Sequence, residues 1–288
     1  EGASVIIGLG GTGSDAVMQL KREVYRQLKP DNTDAVLPKY ESIKYLVVDA
    51  DDSQIVQSGS ITDIDKSTEF FPLSNGAIKS TFEAKKILQN RPELYWLDYE
   101  HISIDEASNG AGGIRQVGRF LLVDKGAALY DKIKSVMTSA LTAANTGELD
   151  IHICAGISGG TGSGTFLDIC YLARKALKEI GKDGARVSGY FFLPDVNLSV
   201  PSIQENPLIS EYIKVNGYAA LKELDYCMNF GRNKDSFKMN YGFTEVDFAA
   251  SPVDLCYLIS TTDSSGNHVK NGYQYAMGVV TDYIISFL

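Results

Sequence analysis

The joint at Cys154–Leu177, CAGISGGTGSGTFLDICYLARKAL, places five glycines within nine residues and then runs straight into a helical pattern. Glycine loses more conformational freedom on folding than any other residue and packs nothing, so such a cluster needs a reason. The same order of strand, glycine turn and helix opens the chain. ASVIIGLG is a short apolar strand, and after it Ala16, Leu20, Val24 and Leu28 recur at four-residue intervals. IKYLVVDAD is a second buried strand with acidic residues at its carboxyl end, which completes a βαβ unit of the kind found in doubly wound sheets.

The alternation continues along the chain. GAIKSTFEAKKILQN reads as a helix, ELYWLDYEHISI as a strand or irregular segment, and GAGGIRQVGRFLLVDKGAALYDKIKSVMTSAL as a glycine cluster before one long helical pattern. LDIHICAG is a strand, GTFLDICYLARKALKEIG a helix closed by Gly181, and RVSGYFFLPD a strand closed by Pro194. NPLISEYIKVNGYAALKELDYCMNF is helical, SFKMNYGFTEVDF a hairpin, and VDLCYLIS a strand. The expected fold is an α/β three-layer architecture, Rossmann-like, with a mostly parallel sheet and helices on both faces.

Composition narrows the function classes. The 27 Lys+Arg against 36 Asp+Glu give a net charge of -9, and no basic run interleaves with aromatics, which argues against nucleic acid as a partner. Cys154, Cys170, Cys227 and Cys256 are scattered through apolar runs, as expected of reduced core thiols in a cytoplasmic protein. His101, His152 and His268 stand apart from one another, so a zinc site is not expected. No apolar run is long enough to insert in a membrane. The chain opens directly before a strand and stops within the apolar helical run YQYAMGVVTDYIISFL, which reads as a piece of a longer protein.

In an open parallel sheet, ligands bind at the carboxyl ends of the strands, where the N–H groups of the following helix point outward. A side chain there would hold a phosphate away from those groups, which gives the glycines a function. Three loops qualify: GLGGTGS (Gly8–Ser14), NGAGG (Asn109–Gly113) and SGGTGSG (Ser158–Gly164). None is followed by the Gly-Lys-Ser/Thr of a Walker A loop, so phosphate charge would be met by N–H groups, hydroxyls and a metal. Two alternatives stand beside a mononucleotide. Gly156–Gly160 also fits G-x-S-x-G between strand and helix, so Ser158 with Asp254 and His268 would follow the order of an α/β-hydrolase triad. A Rossmann-type NAD or FAD site would use the first loop, with Asp49 or Asp51 on the ribose.

The three loops together, in this order, resemble the nucleotide-binding half of the tubulin/FtsZ superfamily. SGGTGSG is similar to its phosphate loop, GAGGIRQVGR to the γ-phosphate-sensing loop of the bacterial members, and GLGGTGSDAV to their first phosphate loop. VVDADDSQ is similar to the second loop, and Asn271 to Leu288 resembles the start of the central helix.

The resemblance implies a bacterial tubulin-like GTPase domain that binds GTP or GDP with Mg²⁺. It implies Gly10, Gly11, Thr12, Gly13 and Ser14 in one phosphate loop, and Ser158, Gly159, Gly160, Thr161, Gly162, Ser163, Gly164 and Thr165 in the other. Gly110, Ala111, Gly112 and Gly113 would meet the γ-phosphate, and Asp49 and Ala50 would lie near the nucleotide or its metal. Asn271, Tyr273, Gln274 and Tyr275 would hold guanine. It also implies one GTP-binding domain over residues 1–288, with insertions at about 53–109 and 196–253, whose C-terminal domain, carrying the catalytic acids, is absent. Partners would be the nucleotide and copies of the same protein in a filament, or neighbouring domains if the fold serves as a nucleotide-binding scaffold without hydrolysis.

Overall fold

The computed structural model describes residues 2–28, 40–86, 91–104 and 110–288. Six strands form one parallel sheet: β1 (Ala3–Leu9), β2 (Ile43–Asp49), β3 (Phe70–Pro72), β4 (Leu149–Gly156), β5 (Arg186–Phe192) and β8 (Leu255–Ile259), in the order β3-β2-β1-β4-β5-β8. Between β5 and β8 in sequence, β6 (Phe237–Asn240) and β7 (Glu245–Phe248) pair as the expected antiparallel hairpin.

Both faces of the sheet are covered, which is why its strands read as apolar runs. In β1, Val5, Ile7 and Leu9 enter one core while Ile6 enters the other, as the two-residue period of a strand requires. The first core is roofed by α3 (Arg115–Asp124), α4 (Gly126–Ala143) and α5 (Thr161–Glu179), with α2 (Ile78–Lys86) at its margin. The second is roofed by α1 (Gly10–Leu28) and α10 (Gly272–Ile285). From α1 it receives Ala16, Val17, Leu20 and Val24, so the four-residue stripe faces inward through Val24. The β5-to-β8 crossover carries α6 (Pro194–Leu198), α7 (Pro201–Gln204), α8 (Pro207–Met228) and α9 (Phe230–Asn233) before the hairpin.

Helix α5 ends as the sequence predicts. Gly181 has φ of +72°, its N–H reaches the Lys178 carbonyl, and the Lys182 N–H reaches the Leu177 carbonyl, which is a Schellman closure. Elsewhere the structure differs from the sequence reading. The single long pattern after Gly110 breaks at Lys125, where φ of -100° and ψ of 10° separate α3 from α4. Gly126, which opens α4, sits where a Cβ would lie 2.9 Å from the Phe243 ring. The aromatic segment from Glu93 is irregular: after a 3₁₀ turn at Pro92–Leu94, Trp96 donates to the Glu93 carbonyl and carries the Arg119 guanidinium on its ring face. Of GAIKSTFEAKKILQN, residues 87–90 lie outside the described residues, as does Asn109 of the second glycine loop.

Candidate functional site

Strands β1 and β4 are neighbours, yet the helices that follow them leave to opposite faces, α1 into one core and α5 into the other. That reversal opens a crevice at the carboxyl ends of the two strands, the place where doubly wound sheets bind ligands. The first and third glycine loops both open onto it.

The glycines let the loops touch. Gly10 has φ of +67°, and a Cβ on it would lie 2.9 Å from the Gly162 nitrogen. One on Gly13 would lie 2.3 Å from the Cys154 carbonyl oxygen, and one on Gly156 would lie 2.8 Å from Thr12 Cβ. The middle loop closes on the third: a Cβ on Gly160 would meet Ala111 Cβ at 2.6 Å and the Gly113 nitrogen at 3.2 Å. Helices α3 and α5 are held equally close, since a Cβ on Gly164 would meet the Arg115 carbonyl oxygen at 2.1 Å and one on Gly118 that of Gly160 at 2.3 Å. Gly159 differs, being exposed with nothing within 4 Å of its Cβ position.

The hydroxyls are placed less uniformly. Ser14 donates to the Gly10 carbonyl and Thr165 to that of Thr161 at 2.7 Å, both within their own helices. Ser163 accepts from Arg115 Nε at 2.8 Å in the α3–α5 interface. Ser158 is fully buried with its Oγ unpartnered, and Thr161 is buried at the first turn of α5. Thr12 accepts from Asn197 Nδ2 at 3.2 Å.

Beside these loops, Gly11 and Thr12 line a cavity of about 640 Å³ together with Asp15, Gln54, Asn197, Asn271, Tyr273 and Gln274. Asn271 precedes α10 in the left-handed region, at φ of 52°, and Tyr273 donates to the Asp15 carboxylate. Burial raises the Asp15 carboxyl above its ordinary range, with the Tyr273 hydroxyl and Arg22 opposing the shift. Of the four residues expected to hold a base, Asn271, Tyr273 and Gln274 reach this cavity, whereas Tyr275 is 51% exposed and does not line it.

Asp49 ends β2, next to β1, and its Oδ1 accepts from the Ala50 N–H at 2.7 Å. Burial pushes its carboxyl up to about 6, and the negative charges of Asp51 and Asp15 add to the effect. Among the described residues no lysine or arginine lines the cavity. Among the described residues no group of three His, Cys, Asp or Glu side chains gathers to hold a metal, and no helix is long and apolar enough to cross a membrane.

Four contributors escaped sequence reading: Asp15, Gln54, Asn197 and Asn216. Asn197 stands three residues beyond Pro194 at the carboxyl end of β5, so the strand-end rule could have found it. Asn216, on α8, donates from Nδ2 to the carbonyls of Gly113 at 2.8 Å and Ser158 at 3.0 Å, and no local pattern announces it.

The hydrolase triad is not assembled. Asp254 accepts from the Val187 N–H and from Arg174 beside the start of β5, while Ser158 follows the end of β4, so the two lie at opposite ends of a parallel sheet. The only side-chain neighbour of His268 within hydrogen-bonding reach among the described residues is Thr262, at 3.4 Å.

No curated protein matches this chain in sequence. In structure it is similar to CetZ from Methanosaeta thermophila strain DSM 6194, at 11% identity and a TM-score of 0.53, covering 100% of this chain and 54% of that one. It is likewise similar to CetZ1 from Haloferax volcanii, solved as a GDP-bound monomer, at 14% identity and a TM-score of 0.53, covering 99% of this chain and 60% of that one. The chain thus spans little more than half the length of these proteins, and the likeness shows a shared fold. The family described as "Tubulin like" matches residues 5–288, nearly the entire sequence, and with the three convergent loops in view this chain belongs to the tubulin-like family.

Proposed function

We propose that this chain is a GTP-binding domain whose three glycine loops hold the phosphates of a guanine nucleotide. The observation that carries the reading is the direct contact of all three loops at the sheet's switch point, Gly10 against Gly162 and Gly160 against Ala111 and Gly113. A dinucleotide site would need only the first loop.

The first and third loops present their N–H groups to the α- and β-phosphates, and Ala111 to Gly113 face the terminal phosphate. The cavity lined by Asn271, Tyr273 and Gln274 takes the nucleoside, with the Tyr273 ring against the base. A divalent cation would serve as the counter-charge to the phosphates. Asp49, at the carboxyl end of β2, is the carboxylate assigned in this reading to Mg²⁺ or one of its waters, and the cation's charge would draw that buried carboxyl back into its ionised form. Bound Mg²⁺ would supply charge neutralisation on the transferring phosphoryl group.

Hydrolysis needs an oriented water as well. The tubulin/FtsZ resemblance assigns that task to acids of an adjoining subunit. In this reading the chain binds GTP and contributes one half of a shared catalytic site. Titration calorimetry with Mg²⁺, comparing GTP, GDP, ATP and NAD, tests the binding half. GTP and GDP should bind and NAD should not. Tight NAD binding, or no nucleotide binding by the folded protein, would overturn the reading.

A further inference from the structure

We propose that Asn216 is a positioning residue that ties the two phosphate-facing loops together from behind, so that the preference for a nucleoside triphosphate over a diphosphate depends on α8. The inference rests on the nucleotide reading above. An amide nitrogen carries two hydrogens, and those of Asn216 are directed at one carbonyl in each loop, Gly113 at 2.8 Å and Ser158 at 3.0 Å. The loops are 45 residues apart in sequence, and one side chain spans them.

Peptide planarity converts that bond into an orientation of donors. In a trans peptide the N–H points opposite to the C=O, so holding the Ser158 carbonyl toward α8 turns the Gly159 N–H away from it. Gly159 is the loop glycine with open space beside its α-carbon. Behind it, Ser158 is fully buried, with its Oγ 3.3 Å from where a Cβ on Gly217 would stand. The side of the loop facing α8 is therefore closed, and the Gly159 N–H is turned away from it.

The same helix grips the terminal-phosphate loop in a second place. Gly113 has φ of +76°, and a Cβ there would fall 2.7 Å from the Tyr212 ring, one turn before Asn216 on α8. Farther along, Glu223 accepts hydrogen bonds from Nη1 and Nη2 of Arg115, the residue that opens α3, and Arg115 Nε donates to Ser163 at the start of α5. Tyr212, Asn216 and Glu223 lie at i, i+4 and i+11, which is one face of the helix. That face touches both loops and the first residues of the helices that leave them.

Asn216→Ala and Tyr212→Leu test the proposal, with GTP and GDP affinities measured by calorimetry in Mg²⁺ and folding followed by urea denaturation. Tyr212 packs against Gly113 of the terminal-phosphate loop, so Tyr212→Leu should lower GTP affinity more than GDP affinity. Asn216→Ala should weaken both, GTP the more, with the GTP-to-GDP affinity ratio falling roughly tenfold. A role in stability alone would lower the urea midpoint and leave that ratio where it was. If Asn216→Ala does not fold, the half-exposed Tyr212 decides the matter. An unchanged ratio in a wild type that binds both nucleotides overturns this inference and spares the nucleotide reading. A folded wild type that binds neither overturns both.

Discussion

Gly159 and Gly164 belong to one seven-residue loop and serve different ends. At Gly164 a Cβ would stand 2.1 Å from a backbone oxygen of α3, so hydrogen is required there for two helices to approach. At Gly159 a Cβ would meet nothing, so its hydrogen leaves room for something the chain itself does not supply. The two positions should respond oppositely to substitution. Gly164→Ala should destabilise the fold by about 2 kcal/mol, the usual cost of overpacking against main chain, as read from urea denaturation. Gly159→Asp should leave the urea midpoint unchanged and abolish GTP binding, because it puts a carboxylate where phosphate oxygens would sit. A Gly159→Asp protein that binds GTP like the wild type would remove the third loop from the site.

At the scale of elements, β4 carries a second test. His152 is buried in it with Nδ1 2.9 Å from the Tyr190 hydroxyl and Nε2 unpartnered, and burial pulls its pKa down to about 4. The unfolded chain, near 6.5, then binds a proton that the folded chain refuses, so the stability due to neutral His152 is complete above pH 6.5 and is lost as pH falls toward 4. Asp49, raised to about 6, acts in the opposite sense, since the folded chain takes up its proton first as pH falls. Comparing wild type with His152→Gln therefore isolates the histidine: between pH 7.5 and 5 the wild type should lose about 2 kcal/mol more than the variant. Equal pH profiles would show that His152 is protonated without cost. The sheet and the first and third glycine loops were legible because apolar runs bounded by glycine are local signals. Strand β3 was not, for it has three residues at a sheet edge and shows no period. The break at Lys125 was hidden because α3 and α4 each keep the apolar spacing of a helix. Ser163, expected to face a phosphate, is bonded to Arg115, a partner 48 residues away that no window on the sequence would contain.

Over the whole molecule, the topology opens a crevice at the carboxyl ends of β1 and β4, and under the proposed function hydrolysis there depends on what adjoins it. Every loop argued to hold phosphate comes from this chain, while under the proposed function the acids that would orient water come from a neighbouring subunit. As a monomer, a chain so divided should bind GTP and turn it over slowly. Rapid turnover by the monomer would contradict the division and place the attacking groups within these 288 residues. Charge sets a further condition on any association of such copies. Each carries -9, and like charges repel over a screening length of about 8 Å at physiological ionic strength. Association of copies of this chain should therefore strengthen as salt is raised from low to moderate levels, and Mg²⁺ should help more than its ionic strength alone, because under the proposed function it also neutralises the nucleotide at the junction. Sedimentation velocity with GTP across a salt series, with and without Mg²⁺, measures this directly. Assembly that weakens on adding salt would point to contacts made by opposite charges, and assembly indifferent to nucleotide would separate it from the crevice altogether.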